Sequence, residues 1–428
     1  MKYTECLEYM ESLSAYGIRP GLESIRELLS RLGNPQDALS FVHIAGTNGK
    51  GSTLAYVSTV LMCAGYKVGR YISPTIFEYC ERIQVGETKI SKKALGDYMD
   101  RVKEVCDSML SEGLLHPSPF EVETAIAFLY FKDKKCDIVV LEAGMGGALD
   151  ATNVIKNTKV AVLTSISMDH MQFLGDDLSK IATQKAGIIK PGCQVVSTVQ
   201  MPQAMQAIKR ECATKKVSLI VSDESKATRI RYGLEKQIFT YGEYRDVEIT
   251  QAGLYQLQNA VLAMDVIQSL RTQGYTISDK MLRKGLLTTT WLGRFSVIGK
   301  KPYFIVDGAH NEDAAEKLAE AISFYFTNKR IIYIMGMLRD KECEKVIAKT
   351  ASFASQVITL TPPENARAMD GYELAGLVAK ENPNVTAAGS VEEAIELARL
   401  LAGRDDVIIA FGSLSYLGRL METVKKHV

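Results

Sequence analysis

The chain has 428 residues, and a prior of roughly 150 residues per domain predicts two or three domains. Hydrophobic residues make up 46% and charged residues 24%, values that are typical of a globular protein with a sizeable core and that exclude disorder. The 51 basic and 50 acidic residues give a formal net charge of +1, so the overall charge gives no reason to expect nucleic acid as a partner.

Apolar runs and cysteines bear on the cellular location. No apolar run reaches the roughly 20 residues that span a bilayer, and the start of the chain lacks the apolar core of a secretion signal. The eight cysteines are scattered, without Cys-x-x-Cys pairs or histidines at metal-binding spacing, which predicts reduced thiols. We therefore expect a cytoplasmic protein that does not bind a membrane.

The first part of the chain predicts two helices and then alternating strands and helices. Apolar residues between Leu22 and Leu32 recur at helical spacing, and Gly33 ends that helix. The units that follow are buried strands at 40–45, 137–142 and 159–166, and helices at 52–64 and from residue 177. Apolar strands that alternate with helices indicate a mostly parallel sheet covered on both faces.

The rest of the chain changes pattern twice. Residues 222–250 alternate apolar with polar side chains, which predicts antiparallel strands flanking the main sheet, and a helix follows at 254–270. After Trp291 a new series of strands is predicted at 303–306, 330–335, 356–360 and 407–411. Gly, Lys and Pro in the segment 296–302 favour a domain boundary there, and so predict domains 1–296 and 302–428.

The strongest motif is the glycine-rich segment GTNGKGS, which lies between a predicted strand and a predicted helix. Glycines let backbone N–H groups converge on phosphate oxygens, and the helix N-terminus adds partial positive charge. Lys50 can reach the terminal phosphates, and a hydroxyl at the helix start can approach Mg²⁺. The sequence lacks the Asn-Lys-x-Asp motif that a GTP-driven switch needs for guanine. The predicted nucleotide-binding residues are Thr47, Asn48, Gly49, Lys50, Gly51 and Ser52.

The spacing of this loop differs from the common G-x-x-x-x-G-K-[ST] pattern and resembles that of the Mur ligase superfamily of ATP-dependent amide-forming ligases. A second segment, 140–154, resembles the second signature of folylpolyglutamate synthases and dihydrofolate synthases. Shorter blocks of that family follow in order at 71–74, 81–83, 168–170, 185–192, 293–295, 307–311, 340–341 and 411–414. The resemblance covers nearly the whole chain. It implies an α/β fold, with a P-loop domain around a mostly parallel sheet and a smaller Rossmann-like C-terminal α/β domain.

The family resemblance also implies the reaction. ATP activates a substrate carboxylate as an acyl phosphate, and the amine of L-glutamate attacks it to form an amide. The implied partners are ATP, L-glutamate and a folate or dihydropteroate, bound by a monomer. Ala148 stands where many bifunctional bacterial members have arginine, which favours the polyglutamate activity over the dihydropteroate activity.

Two other functions are compatible with a phosphate-binding loop. A peptidoglycan Mur ligase would act on a nucleotide-linked substrate, and the folate-type second signature argues against it. A non-catalytic nucleotide-binding protein would be expected to have lost Lys50, Glu142 or His170, and all three are present.

Four residues match the family's ligands of two Mg²⁺ ions. Glu142 ends a buried strand, where a carboxylate without a compensating cation would be costly, and Ser73 matches the hydroxyl ligand of the first ion. His170 and Lys185 match ligands of the second ion. In related enzymes the matching lysine is carbamylated, which turns a cation into a carboxylate. The implied catalytic residues are Lys50, His170 and Lys185.

The remaining site residues are assigned by resemblance alone. Asn259, Arg294 and Asp307 match contacts to ATP. Many relatives have His-Gln before the helix that carries Asn259, whereas this chain has Tyr255 and Gln256, so the role of that histidine is not transferred.

Residues of the folate and glutamate sides are likewise implied by the family. An aromatic ring is available to stack on a flat heterocycle, and two of the residues belong to the second signature. The implied substrate-binding residues are Phe120, Glu121, Leu149 and Asp150 on the folate side, and His310 and Ser413 on the glutamate side. His43 matches no motif, and we expect it to be structural.

Overall fold

The structure is a computed structural model that describes residues 1–13, 21–168, 175 and 177–426. Its backbone contacts divide the chain into two compact units. The first unit comprises Met1–Pro74, Tyr79–Lys226 and Gln258–Leu286, and the second comprises Thr75–Glu78, Ala227–Leu257 and Leu287–Val428.

The described helices are, in chain order, α1 (Tyr3–Ser12), α2 (Glu23–Arg31), α3 (Lys50–Cys63), α4 (Lys92–Ser111), α5 (Pro119–Asp133), α6 (Leu178–Ala186), α7 (Pro202–Lys215), α8 (Gln256–Thr272), α9 (Asp279–Thr288), α10 (Glu312–Tyr325), α11 (Cys343–Thr350), α12 (Gly371–Val378), α13 (Val391–Leu401) and α14 (Leu414–Lys426).

The described strands are β1 (Phe41–Ala45), β2 (Val68–Tyr71), β3 (Ile83–Val85), β4 (Thr88–Lys89), β5 (Ile138–Glu142), β6 (Thr158–Leu163), β7 (Gln194–Thr198), β8 (Leu219–Ser222), β9 (Thr228–Arg231), β10 (Gln237–Tyr241), β11 (Tyr244–Ile249), β12 (Ser296–Lys300), β13 (Tyr303–Val306), β14 (Ile331–Met335), β15 (Gln356–Leu360), β16 (Val385–Ala388) and β17 (Val407–Phe411).

The first unit is built on an eight-stranded sheet of order β4-β3-β2-β5-β1-β6-β7-β8. The strands from β2 to β8 in this order run parallel, and β3 and β4 extend one edge in antiparallel fashion. Every residue of β1 and β5 is buried, as expected for strands that are covered on both faces. The chain leaves the central strands β1 and β5 in opposite directions, and open α/β sheets bind ligands at the carboxyl ends of such strands.

The second unit contains a six-stranded sheet of order β12-β13-β17-β14-β15-β16. All pairs run parallel except β12 with β13. The predicted strands correspond to β13, β14, β15 and β17, whereas β12 and β16 were missed. Both missed strands lie at sheet edges and are at most half buried over most of their length, so they lack the apolar runs that mark the inner strands.

Residues 222–250 contain the predicted antiparallel strands, but these are not strands of the main sheet. They form a separate three-stranded sheet of order β11-β10-β9, whose segment belongs to the second unit. The prediction was wrong on this point because alternating polarity reports one buried face and not which core covers it.

The segment 296–302, predicted as the domain boundary, forms β12 and the turn to β13 within the second unit. The division into two α/β parts with mostly parallel sheets agrees with the predicted fold class. The domain bounds 1–296 and 302–428 stay a prediction.

A buried polar network joins β1 to the turn after the second-signature loop. His43 is fully buried in β1, with its Nε2 2.8 Å from Oγ1 of Thr152. That hydroxyl donates to Oδ1 of Asp150 at 2.5 Å, so it accepts from the imidazole N–H. Nδ1 of His43 is buried and has no hydrogen-bond partner among the described residues. Burial lowers the pKa of His43 to about 3, because a proton on Nδ1 would find neither water nor an acceptor.

His43 therefore makes stability depend on pH. Between its unfolded pKa of about 6.5 and its folded pKa of about 3, the unfolded state binds one more proton, so stability falls as pH falls. The loss at pH 5 relative to neutral pH should be about 2 kcal/mol. His43→Gln keeps an N–H donor for Thr152 and cannot titrate. Urea unfolding of both proteins at pH 7.5 and pH 5 should show this additional loss of unfolding free energy in the wild type alone. The same change in unfolding free energy with pH in both proteins would contradict this.

Candidate active site

The glycine-rich loop follows β1 and ends where α3 begins. A Cβ on Gly46 would lie 1.8 Å from Oγ1 of Thr164, and one on Gly49 would lie 2.5 Å from Oδ1 of Asn259. Gly49 also has a left-handed φ of 89°. The loop thus requires glycine both for its backbone conformation and for close approach of neighbouring side chains. Asn259, predicted as an ATP contact, is buried beside this loop.

Backbone hydrogen bonds hold the loop against the segment after β6. The N–H groups of Thr47 and Asn48 donate to the carbonyl of Ser165 at 2.7 and 3.3 Å. The hydroxyl of Thr47 donates to the carbonyl of Ser167 at 3.0 Å. The first turn of α3, with Gly51 and the buried Ser52, presents N–H groups that no helical carbonyl can accept. This geometry suits an anion.

Two lysines meet at one carbonyl of the loop. Nζ of Lys50 donates to the carbonyls of Gly46 and Thr47 at 3.2 and 3.1 Å. Lys185 on α6 is only 3% exposed, and its Nζ donates to the same Gly46 carbonyl at 2.8 Å. The structure therefore brings Lys185 to the phosphate-binding loop, although 135 residues separate Lys50 from Lys185 in the sequence.

The predicted ligands of the first metal ion also lie together. Glu142 ends β5, is 5% exposed, and pairs in register with Ile44, two residues before Gly46. The N–H of Ser73 donates to Oε2 of Glu142 at 3.4 Å. A carboxylate and a hydroxyl are hard oxygen donors of the kind that Mg²⁺ prefers.

The predicted second metal site is only partly visible. His170 lies outside the described residues. Within the ranges that the structure describes, no group of three or more His, Cys, Asp or Glu side chains is arranged to hold a metal ion.

The residues assigned to the folate side differ in how they are held. Phe120 lies against Tyr71, with ring centroids 5.9 Å apart, and against the backbone of Gly144, where a Cβ would lie 2.6 Å from its Cζ. Leu149 is 49% exposed, which is unusual for leucine and leaves it available for contact.

Two carboxylates of the folate side are occupied by local structure. Glu121 accepts from the N–H of Ser118 at 2.7 Å in a capping box that starts α5. Asp150 accepts from the N–H groups of Met145 and Thr152 and from the Thr152 hydroxyl. Burial raises the pKa of both carboxyl groups. The structure shows them shaping the helix start and the second-signature loop.

Sequence reasoning missed a buried acid, Glu123, which is 2% exposed. It accepts from the hydroxyls of Tyr71 and Tyr79 at 2.8 and 2.9 Å and from Arg82 at 3.0 Å. These donors flank the segment that carries Ser73, so Glu123 fixes that segment on α5. The Glu-Arg-Ile block could have indicated such an acid, because its arginine requires an acidic partner when it is buried.

The second unit contains a comparable anchor around Asp307, which is 4% exposed. Its Oδ2 accepts from the hydroxyl of Tyr255 and from the N–H of Phe295, both at 2.7 Å, and its Oδ1 accepts from the N–H of Ala309 at 2.7 Å. Burial raises the pKa of Asp307, against the effect of these donors and of Arg294. Phe295 has a left-handed φ of 43°, so the bond to its N–H holds the turn that carries Arg294.

The residues implied on the glutamate side follow two adjacent parallel strands, β13 and β17. Nδ1 of His310 lies 2.7 Å from the carbonyl of Gly308, and a Cβ on Gly308 would lie 2.7 Å from Cδ2 of Leu414. The buried Ser413 caps α14 by accepting from the N–H of Ser415 at 3.2 Å. The carboxyl ends of both strands thus bring these loops together, and Asn311 caps α10.

Comparison with known proteins decides the family. The Mur ligase middle domain model matches residues 44–267, and the Mur ligase glutamate ligase domain model matches residues 293–414. The dihydrofolate synthase/folylpolyglutamate synthase of Bacillus subtilis is 32% identical over 99% of this chain and 99% of its own length. The chain belongs to the folylpolyglutamate synthase/dihydrofolate synthase family.

Solved structures of this family have the same fold. The Mycobacterium tuberculosis folylpolyglutamate synthase complexed with ADP and AMPPCP has a TM-score of 0.89 at 29% identity, covering 99% of this chain and 98% of its own. The E. coli FolC protein in complex with DHPP and ADP has a TM-score of 0.84 at 28% identity, covering 100% and 98%. The predictions of the family, of the fold class and of an amide-forming ligase are confirmed. Among the described helices, none has the length and apolarity to cross a membrane.

Tyr255 gives a test of the Asp307 anchor. Tyr255→Phe removes one of three donors to a buried carboxylate, and we expect a loss of about 1.5–3 kcal/mol in the free energy of unfolding. Tyr333→Phe is the matched control, because the Tyr333 hydroxyl is buried without a partner in the described part of the chain. The control should lower stability by less than about 0.5 kcal/mol, or raise it. Equal losses in denaturant titrations of the two variants would contradict the anchor.

Proposed function

We propose that this protein is the ATP-dependent ligase that adds L-glutamate to the γ-carboxyl of folates and to dihydropteroate through an acyl phosphate. The observation that carries the proposal is the meeting of Lys50 and Lys185 at the Gly46 carbonyl, beside the strand end that carries Glu142. Family members of full matching length, and structures of members with bound ADP, support both the reaction and ATP as the nucleotide.

Phosphoryl transfer to a carboxylate brings two anions together, so charge neutralisation and positioning provide most of the catalysis. The N–H groups of Gly51 and Ser52 bind phosphate oxygens, and Lys50 turns from its loop carbonyls to the β- and γ-phosphates. The γ-phosphoryl group passes to a carboxylate oxygen of the substrate, and ADP forms. The amine of L-glutamate then attacks the carbonyl carbon, loses a proton, and displaces inorganic phosphate.

The residues present fit Mg²⁺ as the family implies. The Glu142 carboxylate and the Ser73 hydroxyl would hold one ion, and His170 with a carbamylated Lys185 would hold a second. Mg²⁺, when bound, supplies positive charge that neutralises the phosphates and orients their oxygens. In the second unit, Arg294 is held by the Asp307 anchor and serves the nucleotide.

Carbamylation of Lys185 suits the contact that this side chain makes. A carbamylated lysine nitrogen keeps one N–H, which can still donate to the Gly46 carbonyl. The added carboxylate removes the positive charge of a side chain that is 3% exposed and provides an oxygen ligand for a metal ion.

The folate-side residues support a flat heterocycle bound at Phe120 and Leu149. Ala148 stands where many bifunctional members have arginine. Its Cβ faces Gly187, and a Cβ built on Gly187 would lie 2.4 Å from it. The relatives matched over their full length include bifunctional enzymes, which supports both activities for this chain. None of the eight cysteines forms a disulfide, which supports the proposed cytoplasmic location. We keep a monomer as part of the proposal.

The function is tested by product formation from ATP and L-glutamate, with dihydropteroate and tetrahydrofolate compared side by side. We expect both acceptors to be glutamylated. Lys50→Ala should lower both rates by at least about 100-fold, because the γ-phosphate loses its mobile cation, while the fold is kept. Product from tetrahydrofolate alone would restrict the enzyme to folylpolyglutamate synthesis. No ATP-dependent product from either acceptor, or a Lys50→Ala rate within tenfold of wild type, would refute the proposal.

Lys185 is tested by chemical rescue. Lys185→Ala should lose most of the activity, and added formate or acetate should restore part of it by supplying a carboxylate at the vacant position. Lys180→Ala, an exposed lysine on the same helix, is the control and should behave as wild type. Near-normal turnover of Lys185→Ala without additive would show that this lysine has no catalytic role.

A further inference from the structure

Asn153, in the second signature, has no role in the reaction described above. It is 5% exposed and lies in the helical turn 151–154 that Asp150 caps. Its Nδ2 donates to the carbonyls of Ala148 and Gly187, both at 3.0 Å. One amide thus joins the loop that follows Glu142 to the residue that ends α6.

The same two segments touch through their backbones. The N–H of Ala148 donates to the carbonyl of Gln184 at 2.7 Å. A Cβ on Gly147 would lie 2.7 Å from the carbonyl oxygens of Gln184 and Lys185. The second-signature loop therefore packs directly on the backbone of Lys185, in a contact that excludes even a methyl group.

Lys185 is held from two sides as a result. Its main chain lies against Gly147, and its Nζ donates to the Gly46 carbonyl in the phosphate-binding loop. A displacement of the second-signature loop would free the end of α6 and move this ammonium group. Errors of about 1 Å in the placement of a reacting group lower rates by roughly 100-fold.

We propose that Asn153 is a positioning residue of the ligase, whose amide locks the loop after Glu142 onto the end of α6 and so places Lys185 in the active site. The proposal rests on the proposed function, which gives Glu142 and Lys185 their catalytic roles. Lys190 strengthens the lock, because its Nζ donates to the Asn153 carbonyl at 2.9 Å and so ties the turn to the chain after α6.

The chain offers a matched control for removing the amide. Asn382 is also buried, at 6% exposure, and its Nδ2 donates to two carbonyls, those of Ala351 and Ala354 at 2.9 and 2.8 Å. It belongs to the second unit and stabilises a helix end outside the proposed catalytic residues. Replacement of either asparagine by alanine removes two hydrogen bonds from Nδ2 to carbonyls, and Asn382→Ala also removes the one that Oδ1 accepts from the N–H of Asn384 at 3.0 Å.

Asn153→Ala should lower kcat by roughly 100-fold with little change in the KM of the folate substrate. Asn382→Ala should keep kcat within about twofold of wild type, although both variants lower the melting temperature. Calorimetric titration of Asn153→Ala with ADP in the absence of turnover should give wild-type affinity, since the phosphate-binding loop is intact. Equal kcat in the two variants would overturn the proposal, as would a loss of ADP binding.

A second pair of variants tests the lock without touching Asn153, should Asn153→Ala fail to fold. Gly187→Ala places a methyl group where Ala148 Cβ is 2.4 Å away, so it pushes the loop from α6. Gly376→Ala, in α12 with no atom within 4 Å of the new methyl group, is its control. Only Gly187→Ala should lose kcat. If the wild type ligates and Gly187→Ala keeps the same kcat, the positioning role of this contact is refuted and the proposed function is not. If the wild type itself is inactive, the proposed function is refuted.

Discussion

The carbonyl oxygen of Gly46 accepts hydrogen bonds from the side-chain nitrogens of Lys50 and Lys185, and this contact brings together the end of β1, the start of α3 and the end of α6. As ammonium groups the two lysines repel each other, a repulsion that an anion at the N-terminus of α3 would relieve and that the proposed carbamylation of Lys185 would remove. The register of β1 with β5 places Glu142 at the same sheet edge, opposite Ile44. The sheet register thus places the Glu142 carboxylate and the start of the phosphate-binding loop at the same sheet edge.

The glycines matter here mainly because they let neighbouring segments approach closely, and less because their backbone is flexible. A Cβ would collide with a neighbouring segment at Gly46, Gly49, Gly147 and Gly187, and each of these contacts joins two parts of the proposed site. At Gly147 and Gly187 the close neighbours include backbone atoms, which cannot move aside as a side chain can, so the spacing between those segments is fixed. The glycine-rich character of both signatures follows from this packing, together with the need for N–H groups that face phosphate.

Sequence reasoning succeeded where the signal was local. The central strands, the helix after the phosphate-binding loop and the antiparallel segment were predicted from apolar periodicity, since each pattern reports its own burial. The contacts of Asp307 with Tyr255 and of Asn153 with Gly187 were not, because they join residues 52 and 34 positions apart. The topology of the fold brings such pairs together, and the spacing of apolar residues along the sequence does not predict these contacts. The Tyr255 that replaces histidine was visible as a departure from the family, but its partner was not.

The acids assigned by resemblance divide according to the donors that already surround them. Asp150 and Asp307 each accept three hydrogen bonds from their own loops, and a carboxylate offers about four lone-pair positions. Each therefore keeps at most one position for a ligand and acts mainly by shaping a loop, which for Asp307 is the turn that carries Arg294. Glu142 differs, because it ends β5, the strand register places it, and the hydrogen bond that its carboxylate accepts from the N–H of Ser73 is long, at 3.4 Å. A family motif marks all three acids alike, and the donor geometry separates the two that hold loops from Glu142, for which we propose contact with the phosphates through a cation.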